Sequence, residues 1–136
     1  MFELDARLRQ DCFVVGRLEF CHLLLLDNAA VPWFILVPET TCTEVCDLGM
    51  SQQHALLEEI NSVASFLRTG FAIDKLNIAA IGNIVRQLHV HVVGRHAGDY
   101  CWPGVVWGTA PPERYTEQRV AQIRTEVARN LKGFKA

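Results

Sequence analysis

Apolar residues occupy every second position from Leu88 through Val90 to Val92, with Gln87, His89 and His91 in the places between. Alternation with period two predicts a half-buried β-strand, one face against a core. The other face carries Gln, His and His in a row, neighbours roughly 7 Å apart if each residue rises about 3.3 Å. Gly94 is placed to let the chain turn as this strand ends.

The remaining elements are read in the same way. Residues 3 to 9 predict a short helix, and Cys12 to Val15 a strand closed by Gly16. Leu18 to Leu26 is a long apolar stretch that ends on the turn pair Asp27-Asn28. Trp33 to Val37 is a further strand stopped by Pro38, so the two runs predict adjacent antiparallel strands. Ser51 is placed as the N-cap of a helix over Gln52 to Arg68. Its apolar face is Leu56, Ile60, Val63 and Leu67, joined by Leu57 and Ala64, and Gly70 suits a left-handed C-cap. Leu76 to Ile81 predicts another strand, with Gly82-Asn83 a tight connection onward. Beyond Pro111-Pro112, residues 113 to 131 predict a C-terminal helix striped by Val120, Ile123, Val127 and Leu131. Strands, helix, strands, helix is the order of an α+β fold with an antiparallel sheet.

Composition narrows the class. A chain of 136 residues predicts one domain, spanning 1–136, that can bury a real core. A formal charge of −2 argues against a nucleic-acid backbone as partner. No apolar run approaches the roughly 18 residues of a membrane span. The first residues carry no basic region followed by an apolar stretch, so no signal peptide is predicted. Five irregularly spaced cysteines argue for reduced thiols in the cytoplasm rather than a disulfide framework.

The run Gln87-Leu88-His89-Val90-His91-Val92-Val93 resembles the strand motif of the histidine triad superfamily of nucleotide hydrolases and transferases, with Gln in place of the first histidine. A register that makes His89 the first position puts Gly94-Arg95 out of step and is rejected. The resemblance extends to about Trp107. It implies a five-stranded antiparallel sheet with a long central helix and a C-terminal helix, paired in a homodimer, acting on a purine mononucleotide or dinucleotide.

It also implies roles. The middle histidine, matched by His89, is the nucleophile that becomes nucleotidylated, oriented by the main-chain carbonyl of residue 87. His91 matches the position that contacts phosphate and leaving group. Trp33 stands where the family carries an earlier histidine, so Trp33 and Gln87 read as a paired replacement that preserves packing. Asp27, with Asn28 as a near alternative, resembles the residue that holds ribose hydroxyls. Asn83 matches a polar residue that approaches the phosphates. Trp102-Pro103-Gly104 resembles a segment at the dimer contact that edges the partner's site, the alternative being a core tryptophan beside a turn. Arg95 reads as a solvated or interface charge.

The chemistry suits these residue types. An imidazole can add to phosphorus and split one hard displacement into two easier steps. A second can donate to phosphoryl or leaving-group oxygen, typically worth about 10²–10⁴-fold. No metal or cofactor is required. Two alternatives stay open: a nucleotide-binding protein with little turnover, and a His-x-His metal site in which the nearest downstream carboxylate is Asp99.

Overall fold

The computed structural model describes residues 1–136. Helix α1 (Ala6–Asp11) leads into β1 (Cys12–Arg17), β2 (Cys21–Leu26) and β3 (Trp33–Pro38). A 3₁₀ turn at Val45–Asp47 precedes α2 (Met50–Gly70), followed by β4 (Lys75–Ala79), β5 (Val90–Arg95) and α3 (Glu117–Asn130). The five strands form one sheet in the order β1-β2-β3-β5-β4, and every neighbouring pair is antiparallel.

Both faces of the sheet are covered, and strand alternation decides what goes where. Leu23, Leu25, Phe34, Leu36, Val90 and Val92 point to one side, where they meet the apolar stripes of α2 and α3. Leu24, Trp33, Ile35, Val37 and Val93 point to the other, against Leu8 of α1 and Val106 from the chain after β5. A strand covered on both sides reads as an unbroken apolar run, which is why β2 lacks alternation. His89 and His91 share the second face.

Several boundaries differ from the expectations. The stretch from Leu18 enters the sheet only at Cys21, and Leu76 to Ile81 is a strand only over Lys75–Ala79. Helix α2 begins at Met50, capped at Gly49 rather than Ser51, with the Gly49 N–H donating to Gln52 Oε1 at 3.4 Å. Gly70 is its last helical residue, and its φ is not in the left-handed region. Leu57 is exposed, one position off the buried stripe. Gly94 does not end the central strand but lies inside it. A Cβ there would sit 2.7 Å from Ile73 Cγ2 and 3.0 Å from Pro32 Cγ, so close packing is what demands glycine.

Candidate active site

The cross-strand register sets the site. Ile35 of β3 pairs with His91 and Trp33 with Val93, so the indole of Trp33 lies diagonally beside the imidazole of His91. Gln87 to His89 precede the paired part of β5 yet keep its alternation, and His89 and His91 are both buried with ring centroids 4.9 Å apart.

Hydrogen bonds fix where each ring carries its proton. His89 Nδ1 lies 2.7 Å from the carbonyl oxygen of Gln87. A carbonyl only accepts, so Nδ1 carries the hydrogen, and in the neutral ring it is Nε2 that holds the lone pair. His91 Nδ1 lies 3.0 Å from Trp33 Nε1. An indole N–H only donates, so here Nδ1 holds the lone pair and Nε2 carries the hydrogen. The two imidazoles therefore stand in opposite tautomers, one offering a lone pair and the other an N–H from the same ring position. Burial first, and the neighbouring His89 second, push the His91 pKa down to about 4.

Two clefts meet at His89. One, of about 380 Å³, is largely apolar and is lined by Trp33, Ile35, His91, Val85, Val106 and Trp107, with Arg7 and Asp11 of α1 on its rim side. The other, of about 250 Å³, is mainly polar and includes Thr43, Glu44, Asn83 and Arg86. Asn83 borders both, carried by the turn at Gly82, whose φ of 70° lies in the left-handed region. Trp33, His91 and Trp107 pack edge to face with centroids 5.5–5.9 Å apart. The buried indole N–H of Trp107 has no partner within the chain.

The other residues singled out in the sequence are placed elsewhere. The Gln87 side chain turns to the N-terminal segment: Nε2 donates to Glu3 O at 2.9 Å and Oε1 accepts from Asp5 N at 2.8 Å. Trp33 and Gln87 thus have separate hydrogen-bond partners. Asp27 Oδ1 accepts from Tyr115 N at 2.9 Å and Oδ2 lies 3.6 Å from Arg114 Nη1. Asn28 is buried, accepting from Ala30 N and donating to Tyr100 Oη. Neither Asp27 nor Asn28 lines the clefts, because their side chains tie β2 to the chain on either side of it. Trp102 is half-exposed and lies over the guanidinium of Arg95, not in the core.

Arg95 is not a solvated charge. It is 1 % exposed, paired with Asp99 through Nε–Oδ2 at 2.8 Å and Nη2–Oδ1 at 2.9 Å, with further bonds to Asn77 and Gly104. That pairing holds the Asp99 carboxyl at about pKa 2. With both of its oxygens bonded to arginine, Asp99 does not join the histidines, and no cluster of three His, Cys, Asp or Glu side chains has metal-binding geometry. Sequence reasoning missed Trp107, Asp11, Arg7 and Arg86. Only a long aromatic in the segment after β5 hinted at the first.

Fold and site together define a class: an antiparallel α+β protein carrying two histidines, one behind the other, on a sheet face at the junction of two clefts. The chain belongs to the histidine triad family, whose HIT domain model matches residues 7–98. It is similar over nearly its whole length to solved histidine triad proteins. That of Sinorhizobium meliloti is 41% identical with TM-score 0.92, covering 96% of this chain and 97% of that one. That of Marinobacter aquaeolei is 38% identical with TM-score 0.93, covering 99% of each. That of Bradyrhizobium japonicum is 37% identical with TM-score 0.91, covering 96% and 98%. Comparison with curated proteins gives no match.

Proposed function

We propose that this protein is a nucleotide hydrolase or transferase that works at the α-phosphate of a nucleotide through a nucleotidyl-histidine intermediate on His89. The observation that carries this reading is the opposed tautomers of the two imidazoles. A lone pair at His89 Nε2 is what attack on phosphorus needs, and an N–H at His91 Nε2 is what a charged phosphoryl or leaving-group oxygen accepts. The Gln87 carbonyl stabilises positive charge as it builds on the attacking ring. The apolar cleft between Trp107 and the β3 side chains suits a nucleoside, and the polar cleft at Arg86 and Asn83 suits the departing group.

The test is intact mass after mixing with a panel of adenine and guanine nucleotides bearing α-phosphate leaving groups. A transient mass gain of one nucleotidyl group, absent in His89→Ala, is the expected result. Binding of the same nucleotides without any adduct or product would favour a nucleotide-binding protein with little turnover. The free side chains of all five cysteines fit a reducing compartment such as the cytoplasm. A homodimer fits the apolar side chains Ile78, Ile81 and Ile84 that β4 and the following turn expose at the sheet edge.

A further inference from the structure

His91 has one ring nitrogen committed to Trp33, and that commitment restricts what the other can do. The indole N–H is 3.0 Å from Nδ1 and has no acceptor capacity. A proton on Nδ1 would set two N–H groups head to head, so the imidazolium form is incompatible with this packing. Nothing around the ring compensates. His89 faces it from its own strand, Trp33 and Ile35 from β3, and Trp107 from the segment after β5. From α1 the same cleft receives Arg7 and Asp11, 3.9 Å from each other, and no carboxylate is bonded to the His91 ring. Burial acts in the same direction, disfavouring the charged ring.

We propose that Trp33 is a positioning residue that fixes His91 as a neutral Nε2–H donor, and that the site is thereby confined to nucleotides whose leaving group departs as an oxyanion, a phosphate or polyphosphate, rather than as an amine. The proposal rests on the nucleotidyl-transfer reading above. In the first step His89 Nε2 forms a bond to phosphorus while the bond from phosphorus to the leaving oxygen breaks. The electron pair leaves with that oxygen, and His91 Nε2–H hydrogen-bonds it without surrendering its proton. A phosphate oxygen is stable as an anion and needs no more. An amine leaving group would depart as an amide anion unless an acid gave it a proton, and a neutral imidazole N–H is far too weak an acid. In the second step water adds to phosphorus, the bond to His89 breaks with its pair returning to Nε2, and the surplus proton of the water passes to solvent.

The experiment has two arms, both on the full chain. The first reads the ¹⁵N ring shifts of His91 in wild type and Trp33→Phe between about pH 5 and 8. Wild type is expected to show an unprotonated Nδ1 and a protonated Nε2 throughout, whereas Trp33→Phe samples both tautomers and titrates at higher pH. The second compares turnover of a dinucleoside polyphosphate with that of an alkyl phosphoramidate of the same nucleoside. Wild type is expected to favour the polyphosphate by at least about 10²-fold, the low end of what a general acid supplies. An imidazolium or an Nδ1–H tautomer at His91 in wild type near pH 6 overturns the Trp33 assignment, and Trp33→Phe need not fold for that reading. Comparable turnover of the two substrates overturns the leaving-group restriction. No turnover of either, with the expected ¹⁵N pattern intact, defeats the nucleotidyl-transfer reading and the restriction built on it, while leaving Trp33 as the residue that fixes the tautomer.

Discussion

The side-chain amide of Gln87 is held at both ends by the backbone of the N-terminal segment, accepting from Asp5 N at 2.8 Å and donating to Glu3 O at 2.9 Å, while its own carbonyl holds His89. One residue thus links the first few residues of the chain to the ring of His89, the proposed nucleophile. The segment is secured a second time where Phe2 stacks on His22 with centroids 4.7 Å apart.

Loss of that clamp should act through position rather than chemistry. Gln87→Ala is expected to speed hydrogen exchange at residues 3–9 and to lower kcat severalfold, with the fold retained. Gln87→His should give no gain, because the side chain faces the N-terminal segment and not His89 Nε2. Steady-state turnover of both variants checks this, and a large increase in Gln87→His would count against it.

Arg95 and Asp99 predict a stability effect. Asp99→Ala leaves a guanidinium, 1 % exposed, without its counter-charge, an alteration that costs about 3–5 kcal/mol in comparable buried pairs. The carboxylate of the unfolded chain takes its proton near pH 3.9, whereas in the fold Arg95 delays this to about pH 2. The contribution is therefore complete above about pH 4 and lost as pH falls towards 2. Urea unfolding of wild type and variant at several acid pH values measures both effects.

His91 gives a second and separate pH window. The free imidazole charges near pH 6.5, but folded His91 does so only at about pH 4. Between those values the unfolded state binds more protons, so stability falls as pH falls, by about 3 kcal/mol across the window. Above pH 6.5 this contribution is fully present. In His91→Gln the same urea titration should have a visibly flatter slope between pH 6.5 and 4.

Glu59 of α2 reaches under the β1–β2 connection and accepts from Phe20 N and Cys21 N, each at 2.9 Å. Glu59→Ala would strand those two donors in a buried setting, at about 1–3 kcal/mol for each group. A drop in thermal midpoint is expected, with turnover at low temperature unchanged because the site lies on the opposite sheet face.

What could be read from the chain followed how each residue is held. The histidine row was legible because Leu88, Val90 and Val92 pack against α2 and α3 and so impose alternation. The stripe Val120, Ile123, Val127 and Leu131 was legible because all four are buried along one face of the C-terminal helix and its end. The start of β5 was not, because its ladder with β3 ends at the pair Leu36–Val90, which leaves Gln87 and His89 outside the paired strand. Asp27 carries the same signature as a turn-former and as a ribose ligand, and its bond to Tyr115, far along the chain, leaves no local trace in the sequence. The burial of Arg95 was hidden because Asp99 lies beyond the strand in a turn that no period describes. Trp102 and Trp107 are five residues apart in an irregular segment, so composition could not say which one faced the histidines. The hold of Glu3 and Asp5 on Gln87 spans more than 80 residues and leaves no local trace.

Two of the chain's three tryptophans, Trp33 and Trp107, border the apolar cleft, and the third lies over Arg95 away from it. The protein therefore carries its own optical reporter of occupancy. If the proposed nucleoside occupies this cleft, intrinsic emission from those two indoles is expected to change whether or not any bond is broken, so affinity can be measured on the native chain without dyes, isotopes or catalysis.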